Sequence, residues 1–115
     1  MFRLSYGNVS LLFAADTGFP AEERMLRRDA DITANVLKVG HHGSRFSTSE
    51  AFVDRVAPRI ALISAGHGNR FGLPSSRTID LLERRGIRIY RTDRDGTVEL
   101  VSDGNDWSIA TRYLP

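Results

Sequence analysis

The chain reads as an α/β fold: a mixed sheet with helices covering at least one face. Three observations predict it. Strand-like and helix-like stretches alternate through the middle of the chain, pairs of antiparallel strands sit at both ends, and polar glycine-bearing loops follow the central strands. The expected order is ββ-α-β-α-β-α-βββ. With 115 residues there is material for one ordinary domain and too little for two.

Taken in order, Phe2, Leu4 and Tyr6 alternate with Arg3 and Ser5, the period of a half-buried strand. Gly7-Asn8 is a turn pair, and Val9 to Ala14 is a mostly apolar second strand, so the two form a hairpin. Pro20 opens a helix over Ala21 to Arg28, with Glu22 and Glu23 in its first turn and Arg27 and Arg28 in its last, as the helix dipole favours. Asn35 to Val39 is a short strand. Ser47 and Glu50 have the spacing of a capping box for a helix that runs to about Val56 and stops at Pro58. Ile60 to Ser64 is a buried strand. Pro74-Ser75-Ser76 starts a third helix through Arg85, with Gly86 as its stop. Ile87 to Thr92 is a strand, Asp93-Arg94-Asp95-Gly96 a hairpin turn, and Thr97 to Val101 the returning strand. After a turn at Asp103–Asp106, Trp107 to Tyr113 is the last strand.

Composition narrows the function classes. Hydrophobic residues are 41% and charged residues 26%, which describes a globular chain rather than a disordered one. The formal net charge of +2 is too small to argue for a nucleic-acid partner, and the bases are dispersed. All but one of the 16 Lys+Arg are arginine, a residue suited to bidentate phosphate contacts and also the mark of a GC-rich genome. There is no cysteine, which excludes disulfides and thiolate zinc sites; any metal would rest on His, Asp, Glu or water. No apolar run approaches the roughly 20 residues that span a bilayer, and the N-terminus lacks a basic-then-apolar signal pattern.

The chemistry concentrates in three loops at strand ends: Ala15-Asp16-Thr17-Gly18, Gly40-His41-His42-Gly43-Ser44 and Gly66-His67-Gly68-Asn69-Arg70-Phe71-Gly72. Ligands of open α/β sheets lie beyond the carboxyl ends of the strands. An Asp and several His gathered there suit a divalent metal, which lowers the pKa of a bound water, with an imidazole nearby to donate a proton to a leaving oxygen. Plainer roles compete. Asp before Thr-Gly is commonly a turn residue, Gly66-x-Gly68 commonly a turn, and Asp93-x-Asp95-Gly96 lacks the remaining positions of a calcium loop. Arg45 and Arg70 flank the histidine loops and are placed to clamp an anion, or simply to be solvated.

These residues carry a family resemblance. Asn35-Val36-Leu37-Lys38-Val39-Gly40-His41-His42-Gly43-Ser44 resembles the "DVLKVxHHGS" segment of metallo-β-lactamase-like hydrolases, in particular the soluble C-terminal domain of the ComEC family of competence DNA-uptake channel proteins. Leu12 to Asp16 resembles that family's strand ending in "TGD", Ile63 to Gly72 its "ISxGxxNxYGHP" loop, and Arg91 to Gly96 its "RTDxxG" hairpin. The resemblance implies an αββα sandwich holding one or two divalent metals, zinc or manganese, and hydrolysing phosphodiesters or other esters. It implies that Asp16 is a metal ligand and that His41 and His42 contact metal or phosphate. The assignment it supports is His41 and His42 as catalytic, Asp16 and His42 as metal ligands, and Ser44 and Asn69 as substrate-binding.

Two departures shape the expectation. The family's HxHxDH signature has no counterpart here, and Leu73 stands where the late loop has the "GHP" histidine. The chain is therefore expected to be the C-terminal half of the sandwich, a truncated domain with an incomplete site and an apolar sheet face open to a partner: an N-terminal half-domain or a second copy. The function expected is metal-dependent phosphodiester hydrolysis in the intact domain, nuclease-like and linked to DNA uptake, with nucleic acid as a possible substrate. The alternative is a non-catalytic remnant acting as a binding or scaffold module. A stand-alone chain would be cytoplasmic, and one split from a ComEC-like channel would be membrane-associated.

Overall fold

The structure is a computed structural model and describes residues 1–112, so the expected end of the last strand at Tyr113 lies outside the described residues. Five strands form one sheet in the order β1-β2-β3-β4-β5. They are β1 (Phe2–Tyr6), β2 (Val9–Phe13), β3 (Val36–Lys38), β4 (Ile60–Ile63) and β5 (Arg88–Arg91). The β1–β2 pair is antiparallel and the other three pairings are parallel. Helices α1 (Phe19–Arg27), α2 (Glu50–Val56) and α3 (Ser76–Arg84) connect the parallel strands. The mixed α/β architecture is the one the sequence predicts and is consistent with part of a metallo-β-lactamase fold.

The period of two divides the sheet into two unlike faces. Leu12, Leu37, Ala61 and Ile89 stand in one row across four strands. Their face packs against Phe52, Val53 and Val56 of α2 and Leu81 and Leu82 of α3, forming the core. Each fully buried Leu, Val or Phe contributes roughly 1.5–3 kcal/mol of transfer free energy. The opposite face carries the row Phe2, Phe13, Lys38, Leu62 and Tyr90. Here Phe2 stacks on Phe13 with ring centroids 4.6 Å apart, yet Phe2 is 60% and Leu4 53% exposed.

The C-terminal strands depart from expectation. Thr92–Asp95 is not a hairpin turn but a single helical turn, α4. Asp95 accepts a hydrogen bond from the Arg91 N–H at 2.8 Å, and Asp93 pairs with the Arg91 guanidinium at 2.7 Å. These local bonds fold the chain back before it can return along β5. Strands β6 (Thr97–Ser102) and β7 (Trp107–Arg112) instead pair with each other as a separate antiparallel sheet. That hairpin leaves from the end of β5 and reaches the β1–β2 turn, where the Asn8 N–H donates to the Gly104 carbonyl at 2.6 Å. Val36, on the same sheet face as Lys38, is fully buried. Gly7 permits the junction: a Cβ there would collide with the Gly104 carbonyl.

The capping expectation for α2 is also corrected. Ser49, not Ser47, is the N-cap, accepting from the Phe52 N–H at 3.2 Å. Ser47 is fully buried and donates to the Gly40 carbonyl at 3.1 Å. The reason lies in Glu22 of α1, 1% exposed, whose carboxylate accepts from the N–H groups of Thr48 and Ser49 and fixes where the helix starts. Arg77 of α3 closes the same segment, donating to the carbonyls of Ser47 and Thr48 at 2.9 Å each.

Candidate functional site

The carboxyl ends of β2, β3 and β4 lie side by side, and the loops leaving them form one edge. After β2 the chain turns tightly, with Ala15 at φ 54° and the Thr17 N–H donating to the Ala14 carbonyl at 3.1 Å. Asp16 is exposed at the tip of this turn. The neighbouring loop is tied to it, because the His41 N–H donates to the Ala15 carbonyl at 2.7 Å. Gly40 sits against the same turn: a Cβ on it would come 3.1 Å from the Thr17 oxygen.

Gly40–Gly43 forms a short 3-10 turn in which His41 (φ 50°, ψ 42°) and His42 (φ 56°, ψ 25°) are both left-handed. For a residue with a side chain this conformation costs roughly 1–2 kcal/mol. Two successive histidines held there, both exposed, are a concentration of strain of the sort that marks functional loops. The surroundings hold it in place. Gly43 packs on Pro74, the Ser75 N–H donates to the Gly43 carbonyl at 2.8 Å, and the Ser44 N–H donates to the His41 carbonyl at 3.0 Å.

The ring of His42 is fixed as well. Its Nδ1 lies 2.7 Å from the Ser64 carbonyl at the end of β4. A carbonyl only accepts, so Nδ1 carries a proton, and in the neutral ring Nε2 is the nitrogen with the lone pair. His42 lines a cleft of about 260 Å³ with Ala65, Gly66, Asn69, Phe71 and Leu73. The His41 and His42 rings are tilted and 6.4 Å apart.

The remaining expected residues fall in different places. Ser44 is 6% exposed, and its hydroxyl accepts from the Phe46 N–H at 3.1 Å. Asn69 lines the cleft, but its amide is committed to the loop. It donates to the carbonyls of Gly66 and Leu73 at 2.8 and 2.7 Å and accepts from the N–H groups of Phe71 and Leu73 at 3.1 Å each. His67 turns away, its Nδ1 3.0 Å from the Asp93 carbonyl, and lines a separate cleft of about 510 Å³ with Thr92, Asp93 and Arg112. Among the described residues, no three of His, Asp and Glu come together as a metal-binding group. The guanidinium of Arg45 lies over the Phe46 ring at 4.8 Å.

Sequence reasoning missed three participants. Glu22 and Arg77 anchor the Ser44–Ser49 segment behind the histidines, and nothing in their local sequence signals it. Lys38 ends β3 on the second sheet face, half-buried. Burial holds its ammonium below the ordinary lysine range, and the charge of Asp16 partly opposes this. Its signal was available: it is the exception among the 16 Lys+Arg.

Comparisons with known proteins bear on the same elements. The family model described as the Metallo-beta-lactamase superfamily matches residues 1–67, from the N-terminus through the Asp16 and His41–His42 loops to His67. The chain is 41% identical over 93 residues to ComE operon protein 3 of Bacillus subtilis strain 168, covering 81% of the chain and 12% of that protein. It is 30% identical over 100 residues to Competence protein ComA of Neisseria gonorrhoeae, covering 86% of the chain and 14% of that protein. It is 34% identical over 94 residues to Recombination protein 2 of Haemophilus influenzae, covering 82% of the chain and 12% of that protein. The chain thus spans a small part of the length of the curated relatives it matches. Among the described residues, no helix is long and apolar enough to cross a membrane.

Proposed function

The chain belongs to the metallo-β-lactamase superfamily, as a domain fragment with homology to the ComEC-type competence proteins, and on that premise we propose that it supplies one wall of a phosphodiester-hydrolysing site. The observation that carries the reading is the edge itself: the turn that bears Asp16 is tied through the Ala15 carbonyl to the left-handed His41–His42 turn, and the His42 Nδ1 meets the Ser64 carbonyl. A substrate linked to DNA uptake accords with the competence name of the Neisseria gonorrhoeae relative.

The superfamily typically binds metal. A catalytic zinc takes about three protein ligands and a water. The described residues bring no such group together, so the chain by itself does not fit that metal. Asp16 and His42 are the two ligands it has to offer, and the rest would come from outside the chain.

The chain's own residues have separable tasks in this reading. Hydrolysis breaks the bond from phosphorus to the leaving oxygen, forms one from phosphorus to a water oxygen, and puts a proton on the leaving group. His41 is the proton donor, since among the described residues no backbone carbonyl holds its ring as Ser64 holds that of His42. His42 presents the Nε2 lone pair. Ser44 and Asn69 serve the substrate side through the loops their side chains hold. The test is bound zinc or manganese per chain, alone and with a polypeptide carrying the HxHxDH segment of a relative. The reading expects binding in the mixture and its loss in Asp16→Ala. Equal binding in wild type and Asp16→Ala would sink it.

A second reading, a non-catalytic binding or scaffold module, is favoured by one specific observation. Leu73, unable to ligate a metal, lines the His42 cleft at the position where the resemblance places a histidine. This reading expects no phosphodiester hydrolysis with any metal, even in the mixture.

A further inference from the structure

Lys38 has no role in the account so far, yet its setting is unusual. In a chain that otherwise uses arginine for its bases, a lysine stands at the last position of β3, between Phe13 on β2 and Leu62 on β4. Its stem therefore crosses an apolar row, and only the ammonium can reach the edge where the strands end. Among the described residues it forms no ion pair. The acidic group whose charge acts on it is Asp16. A half-buried ammonium without an ion-pair partner loses hydration that a bound anion can replace. A guanidinium is a broad planar fork; an ammonium is a compact point charge, suited to a narrow position between two strands.

We propose that Lys38 is the anion contact of this edge, its ammonium taking a phosphoryl oxygen of a phosphate group held between the Asp16 turn and the His41–His42 turn. The inference rests on the hydrolase reading only for the identity of the natural phosphate; the contact itself requires no turnover. It also accounts for the place of Lys38 on the second sheet face, in register with Phe13, on which Phe2 stacks.

The uniqueness of the residue makes the test direct. Protein labelled with carbon-13 at lysine Cε gives one lysine signal, which reports Lys38 without assignment. Inorganic phosphate is the probe. The expected result is a saturable shift of that signal in the wild type and, by isothermal titration with phosphate, an affinity about tenfold or more weaker in Lys38→Met, folded by circular dichroism. A signal that phosphate does not move, or a folded Lys38→Met that binds phosphate as wild type does, overturns the proposal. Hydrolysis of bis(p-nitrophenyl) phosphate, measured separately, reports on the hydrolase reading. Phosphate binding through Lys38 without turnover in the completed site leaves this inference standing while that reading falls.

Discussion

A Cβ placed on Gly43 would lie 2.6 Å from the Cβ of Pro74. That contact seats the end of the histidine turn on the segment leading into α3, and it leaves no room for a side chain. Gly43 also has φ +79°, a conformation open to glycine and strained for other residues. Gly43→Ala combines strain with overpacking and is expected to destabilise the fold by about 3 kcal/mol. Urea denaturation checks it, and a cost within experimental error of zero would mean the turn is not held as described.

Glu22 gives a second prediction. Its buried carboxylate accepts from the N–H groups of Thr48 and Ser49. Glu22→Ala leaves both donors without that acceptor and is expected to cost about 3 kcal/mol. Because Ser47, in the same segment, donates to the Gly40 carbonyl, the loss should extend to the site edge. Amide exchange of His41 and Ser44 should accelerate in the variant, whereas a purely local role would leave those amides unchanged.

His41 tests the stored strain. It is left-handed at φ 50° without the carbonyl contact that His42 makes. Replacing it with glycine removes roughly 1–2 kcal/mol of strain and adds about 0.5–1 kcal/mol of unfolded-state entropy. His41→Gly is thus expected to be neutral to slightly stabilising, by up to about 1.5 kcal/mol, on thermal denaturation, while removing the proposed proton donor.

Acid stability follows from the Arg91–Asp93 pair. The hydrogen bond from Arg91 comes first, and the guanidinium charge adds to it; together they hold the Asp93 carboxyl below the ordinary 3.8. A carboxylate whose folded pKa is depressed contributes stability that is full above the unfolded value and lost as pH falls through the folded one. The pair therefore supports the β5–α4 junction at neutral pH and begins to lose that support as pH falls below about 4. Arg91→Met should reduce stability at pH 7 and flatten its fall in acid below about pH 4. An unchanged acid profile would contradict this.

How much of this was legible follows from the range of the interactions. The five sheet strands show in the sequence because alternation is local, and Gly86 marks its helix end by itself. The fate of the C-terminal strands was not legible. Thr97–Ser102 alternates equally well beside β5 or beside β7, and the choice is made by Asp93 and Asp95 binding Arg91. The cap of α2 was misplaced because Glu22 acts from 26 residues away. At the site, adjacent strands set the turn that bears Asp16 against the histidine turn, through the His41 N–H and the Ala15 carbonyl. The turning away of His67 depends on the Asp93 carbonyl, also 26 residues distant, and local sequence carries no trace of it.

The most direct measurement is hydrolysis of bis(p-nitrophenyl) phosphate with manganese or zinc. It is made on this chain alone and on this chain mixed with the HxHxDH-bearing polypeptide of a relative. The account predicts negligible turnover alone, turnover in the mixture, and its loss when the chain carries Asp16→Ala or His42→Ala. Turnover in the mixture that is indifferent to both substitutions, or none in any mixture that binds metal, would contradict the claim that this edge is one wall of a hydrolytic site.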